Sequence, residues 1–144
     1  MGMNISLQML DKELPTPERA HDGDAGLDLF ARHPVILEPG ERRVVDTGVA
    51  VAIPPGYAGL MIPRSGLAAR RGITVVNAPG LIDAGYRGEL RVILLNQGAE
   101  RVEIRRGDRV VQLVIVPVVT PGVEVVDELD ETSRGAGGLG SSGR

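Results

Sequence analysis

The chain contains no cysteine and no tryptophan, and its aromatic residues are two tyrosines and one phenylalanine. Without cysteine, disulfides and thiolate metal sites are excluded, and a reducing cytoplasm is the natural home. Neither sign of charge dominates: 16 lysines and arginines stand against 19 aspartates and glutamates, a formal net charge of −3. That balance argues against a general affinity for nucleic acid, which needs many cations facing phosphates. It leaves room for a small anionic ligand, because a local cluster of cations can overcome a mild global charge. No apolar run approaches the ~20 residues of a membrane span, so no membrane partner is expected. The opening MGMNISLQML carries no basic segment and reaches Asp11 and Lys12 quickly, unlike a secretion signal.

What is present fits one domain. A chain of 144 residues buries roughly two-thirds of the surface its unfolded form exposes, so it needs no metal or disulfide merely to fold. With Phe30, Tyr57 and Tyr86 as the only aromatics, valine, leucine and isoleucine must build the core. The dominant pattern has a period of two, as half-buried strands require. It runs through Val45, Thr47, Val49, Val51 and Ile53, through Leu90, Val92 and Leu94, and through Val114, Val116 and Val118. Ile5, Leu7 and Met9 make a short opening strand. Turn signals at Pro39-Gly40, Pro55-Gly56, Asn96-Gln97-Gly98, Arg106-Gly107-Asp108 and Pro121-Gly122 separate these runs. Short strands between turns indicate a sandwich, barrel or jelly roll. One short helix is expected from Ser65 as N-cap to Gly72 as stop. From Asp127 onward the chain is acidic and then rich in glycine and serine, the composition of a disordered tail.

Five segments can carry chemistry, each with a structural alternative. In Pro63-Arg64-Ser65-Gly66, a helix N-terminus, a guanidinium and a hydroxyl make a phosphate cradle, or simply a capped helix with a surface arginine. The loop or hairpin Asn77 to Glu89 places Asp83 and Tyr86 near its tip. There Asp83 either bonds its own turn or accepts a proton from water. Tyr86 offers a flat face for a sugar or an edge to the core. In Asp24 to Leu29, Asp28 lies between two leucines; it is a solvated residue or a contact for a hydrated magnesium ion. In Gly107 to Leu113, Gln112 sits among apolar neighbours, on a solvent face or aimed at a ligand. In Arg134 to Gly143, glycine N–H groups, serine hydroxyls and one guanidinium can converge on an anion and close as a lid.

In this order, DAGLDL, PRSGLA, NAPGLIDAGYRGEL, GDRVVQL and RGAGGLGSSG resemble the five motifs of homotrimeric dUTP pyrophosphatases. The resemblance implies an all-β, distorted jelly-roll-like barrel or sandwich with one short helix and a flexible C-terminal tail. Residues 1–126 would form the β domain, and residues 127–144 an arm that completes a neighbouring subunit's active site. It implies hydrolysis of dUTP to dUMP and pyrophosphate with Mg2+ as cofactor, in a cytoplasmic homotrimer with shared sites. The reaction would limit uracil in DNA and supply dUMP for dTTP synthesis.

Carried over residue by residue, Asp83 would orient and deprotonate the attacking water, and Tyr86 would stack under the deoxyribose. Asn77 and the backbone around Gly80, Leu81 and Ile82 would read the uracil and sugar. Arg64, Ser65, Gly66 and Gln112 would hold the α- and β-phosphates. Asp28 would bond waters on a magnesium ion held mainly by the triphosphate. Arg134, Ser141 and Ser142 would clamp the γ-phosphate, with Leu139 and Gly140 in the covering segment. Leu139 departs from the family, whose tail usually carries an aromatic residue there. Base–aromatic stacking contributes roughly 1–3 kcal/mol, so leucine excludes water with a weaker hold on the base. Leu81 stands where relatives often carry a smaller polar residue. Two alternatives use the same fold: a dCTP deaminase-like enzyme and a non-catalytic nucleotide-binding regulator.

Overall fold

The computed structural model describes residues 3–143, so Arg144, the last residue of the expected arm, lies outside it. The strands are β1 (Ser6–Met9), β2 (Leu27–Phe30), β3 (Val35–Leu37), β4 (Arg42–Asp46), β5 (Val49–Ala52), β6 (Tyr57–Ile62), β7 (Ile73–Val75), β8 (Gly80–Ile82), β9 (Arg91–Asn96), β10 (Val102–Ile104) and β11 (Arg109–Pro117), with helix α1 (Ser65–Arg71) between β6 and β7. They form a four-stranded sheet in the order β2-β11-β6-β8, a three-stranded sheet β4-β9-β7, and the two pairs β1-β5 and β10-β3. The recorded pairings are antiparallel. The fold is all-β and jelly-roll-like, and the sheets do not close into a barrel. Among the described residues, no helix is long and apolar enough to cross a membrane.

The core is aliphatic, as the shortage of aromatics requires. Leu29, Leu37, Ile73, Leu90, Leu94 and Leu113 are fully enclosed, and Phe30 is the one buried aromatic. Each such side chain contributes roughly 1.5–3 kcal/mol of burial energy. Asn96 is buried with them, but its polar groups are matched: the amide donates to the carbonyls of Leu37 and Glu100 and accepts from the Gly98 N–H.

Three local expectations change. The run from Val45 to Ile53 keeps its inward alternation but is two strands in different sheets. The chain switches at Gly48, whose φ of 73° is left-handed. A Cβ there would lie 2.9 Å from Leu14 Cδ1, so glycine is needed for conformation and for space. On β11, Val110, Val111 and Leu113 face the core, whereas Val114 and Val116 are half-buried and Val118, just past the strand's end, is exposed. Apolar residues occupy both faces of that strand, so alternation alone cannot choose between them. Helix α1 starts one residue early, with Arg64 rather than Ser65 at its N-cap: the Arg64 carbonyl accepts from the Ala68 N–H, and no side chain caps the end. Gly72 closes the helix at φ 67°, as expected.

Beyond β11 the described residues form no helix or strand. Every described residue from Pro117 to Gly143 is exposed. Among the described residues, the Val118 N–H to Gly56 carbonyl bond is the last hydrogen bond joining this segment to the strands.

Candidate active site

One cluster gathers at the end of the four-stranded sheet where β6 runs into α1. The register places Asp28 of β2 opposite Gln112 of β11, and Gln112 opposite Ile62 of β6. Asp28 is buried and its two carboxylate oxygens each face an arginine: Arg64 Nε at 3.1 Å and Arg109 Nε at 3.5 Å. Arg64 also donates to the Arg109 carbonyl. Ser65 and Gly66 follow in the first turn of α1. Gly26 lies against the Gln112 amide, since a Cβ there would be 3.0 Å from its Nε2. Asp28, Arg64 and Arg109 line a groove of about 340 Å³ with Glu18, Arg19 and Ala20. The buried carboxylate thus fixes two cations at the mouth of an open groove, an arrangement suited to polyphosphate.

Arg109 was not singled out from the sequence. Strict alternation puts residues 109 and 112 on opposite faces. A bulge between Arg109 and Val111 inserts one extra residue, which reverses that parity. Arg109 then shares a face with Gln112, and its guanidinium lies 5.4 Å from the centre of the Phe30 ring. No residue in this segment announces the bulge.

The second cluster is the loop between β7 and β9. It is not a hairpin paired with itself. Gly80–Ile82 forms edge strand β8 on β6, and the loop thereby bridges the two larger sheets. The turn after it is closed by the Tyr86 N–H donating to the Asp83 carbonyl at 3.0 Å. Arg87 donates to the carbonyls of Ala84 and Tyr86, and the Tyr86 hydroxyl donates to the Glu89 carbonyl. Asp83 and Tyr86 are exposed and share a groove of about 400 Å³ with Val44, Leu81, Ile82, Glu89, Arg91 and Ile93. Asn77 sits beside β8, its Nδ2 at 3.3 Å from where a Gly80 Cβ would be.

The two clusters do not meet within one chain. β8 runs antiparallel to β6, from Gly80 opposite Met61 to Ile82 opposite Gly59. Asp83 therefore lies toward the end of the sheet away from Ile62 and the arginines. A rise of ~3.4 Å per residue and a spacing of ~4.8 Å per strand put the backbones of Asp83 and Gln112 on the order of 15–20 Å apart. Arg134, Leu139, Gly140, Ser141 and Ser142 are exposed, and none lines either groove.

Comparison with known proteins shows the family. The dUTPase family model matches residues 12–143. The chain belongs to the dUTPase family. It is 56% identical over 142 residues to the deoxyuridine 5'-triphosphate nucleotidohydrolase of Rhodococcus erythropolis, covering 98% of this chain and 87% of that protein. The nucleotidohydrolase of Corynebacterium glutamicum is 55% identical over 141 residues, covering 97% and 95%. Among solved dUTPase structures, a variant from Staphylococcus bacteriophage 80alpha bound to dUpNHpp superposes with a TM-score of 0.90 at 34% identity, covering 98% of this chain and 99% of that one. A variant dUTPase of S. aureus phage phi11, whose structure describes a structural Mg(II) ion, gives 0.81 at 33% identity, covering 90% and 100%.

Proposed function

We propose that this dUTPase hydrolyses dUTP to dUMP and pyrophosphate at sites assembled between the subunits of a homotrimer. One observation carries the chemical reading: Asp83 is exposed beside Tyr86 in a closed turn, and among the described residues its carboxylate accepts no hydrogen bond. A carboxylate so placed is free to take a proton from water. The separation of the Asp83 turn from the Asp28, Arg64 and Gln112 cluster supports the assembly, because a triphosphate cannot span both in one chain. The exposed segment that leads into the arm supports it too: Val119, Val123 and Val125 are at least 90% exposed, and such residues gain by packing against a neighbour. In this reading residues 127–144 close over the site of another subunit.

In this reading the reaction runs as an in-line displacement. Asp83 holds a water behind the α-phosphorus and accepts its proton as the new P–O bond forms. The bond from the α-phosphorus to the bridging oxygen breaks, and pyrophosphate leaves with that electron pair. Arg64, Gln112 and the Ser65-Gly66 backbone hold the α- and β-phosphates. Arg134, Ser141 and Ser142 clamp the γ-phosphate, the guanidinium supplying charge and the hydroxyls hydrogen bonds. Such aimed charges act in the transition state without reorganisation cost. Asn77 and the β8 backbone read the uracil edge, and Leu139 with Gly140 excludes water above it. Tyr86 supports the deoxyribose and leaves no space for a 2′-hydroxyl.

A magnesium ion fits the residues present. Among the described residues no cluster of three or more histidine, cysteine or acidic side chains could cage a metal. Magnesium on nucleotides uses phosphate oxygens, waters and one or two carboxylates. Asp28, with its more distant arginine at 3.5 Å, can take part through water. When bound, the ion would neutralise charge developing on the pyrophosphate. A cytoplasmic setting suits an enzyme of the deoxynucleotide pool.

The test is pyrophosphate release from dUTP, dTTP, dCTP and UTP, with magnesium and with chelator. Turnover is expected for dUTP with magnesium, at least about tenfold above each competitor. Ammonia release from dCTP, or no turnover of dUTP, overturns the reading.

A further inference from the structure

Tyr86 is 41% exposed, yet its ring is not free. Its hydroxyl donates to the Glu89 carbonyl at 3.0 Å, so the side chain folds back over its own backbone. A Cβ at position 88 would lie 2.5 Å from the Tyr86 hydroxyl and 2.7 Å from Cζ. Gly88 is absent from the residues of positive φ. Glycine is therefore needed for close approach, not for a left-handed backbone. The residue whose carbonyl accepts from the Tyr86 hydroxyl is itself anchored. The Glu89 carboxylate accepts from the Gly48 N–H at 2.9 Å and from Arg32 at 3.0 and 3.2 Å. Arg32 Nε faces Asp11 at 3.4 Å, and Asp11 takes two bonds from Arg106 at 2.7 and 3.0 Å. The next residue, Leu90, accepts from the Thr47 hydroxyl and donates to the Val49 carbonyl.

We propose that Gly88 is a positioning residue for the reaction: its missing side chain lets the Tyr86 ring lie against the anchored Glu89 backbone, which fixes the face offered to the sugar. This rests on the reading that Tyr86 receives the deoxyribose. Gly85 supplies an internal comparison. It lies in the same turn, it too has no positive φ, and a Cβ there would meet nothing within 4 Å. Alanine is compatible with the backbone at both positions, but at 88 it drives the tyrosine ring away.

The experiment compares Gly88→Ala, Gly85→Ala and Tyr86→Ala in steady-state kinetics with dUTP and UTP. The chain has no tryptophan and two tyrosines, so in a Tyr57→Phe background intrinsic fluorescence reports Tyr86 alone. Gly88→Ala is expected to lower kcat/KM for dUTP by about 10²-fold, the effect of a misplaced contact group. It should also bring the dUTP/UTP ratio toward that of Tyr86→Ala and change the Tyr86 emission of the free enzyme. Gly85→Ala should change the ratio by less than about twofold, because its new methyl group meets open space. A Gly88→Ala enzyme with wild-type ratio and emission overturns the proposal, and so does equal loss at both glycines. If Tyr86→Ala itself keeps full discrimination against UTP, the sugar-platform reading fails instead.

Discussion

Asp83→Asn is expected to lower kcat for dUTP hydrolysis by ~10²–10⁴-fold, the usual share of a general base. The amide has nearly the same size and can still hold a water by hydrogen bonding, but it cannot accept the proton as the nucleophile attacks. The turn itself should survive, because it is closed by the backbone of Asp83 and Tyr86 and by Arg87, not by the carboxylate. Nucleotide affinity should therefore remain close to that of the unaltered chain when a non-hydrolysable analogue is titrated. Equilibrium binding beside single-turnover kinetics checks both halves. Unchanged turnover would remove Asp83 from its role; lost binding would make the residue a ligand contact instead.

Arg134→Ala should cost roughly 10²-fold in turnover, comparable to removing one aimed charge or donor from a transition state. Its larger consequence appears in mixtures. Where Asp83 and the closing arm come from different subunits, Asp83→Asn chains supply sound arms and Arg134→Ala chains supply sound bases. Random co-assembly in equal amounts then makes about one junction in four fully equipped, by the arithmetic of a closed ring of like chains. Two nearly inactive proteins should thus recover about a quarter of normal activity after co-refolding, with mixed trimers verified by mass. If base and arm belong to one chain, every junction in every mixture lacks one part, and no recovery occurs.

The parts of this arrangement were unevenly legible in the sequence. Alternation picked out Val45, Val49, Val51, Leu90, Val92 and Leu94 as inward residues because burial depends only on parity. It could not show the sheet change at Gly48, which depends on Leu14 and Glu89, residues distant in sequence. The stop at Gly72 was legible because a left-handed cap nearly demands glycine. The N-cap was misplaced because Ser65 is the better capping residue, while Arg64 is recruited there by its bonds to Asp28 and Arg109. The Asp83 turn declared itself through its glycines. The groove on Arg109 did not, since a bulge leaves no compositional mark. Nor did the Glu89–Arg32 contact, whose partners are 57 residues apart. The separation of the two clusters follows from strand register, which single-chain patterns do not encode.

The most direct measurement is the fate of oxygen during turnover in H2(18)O. A water held by Asp83 behind the α-phosphorus must leave its oxygen on that phosphorus. The label should therefore appear in dUMP, one atom per molecule in a single turnover, with unlabelled pyrophosphate. Label in the pyrophosphate and none in dUMP would mean that the β-phosphorus is attacked, and the placement of Asp83 at the nucleotide's inner phosphate would be contradicted.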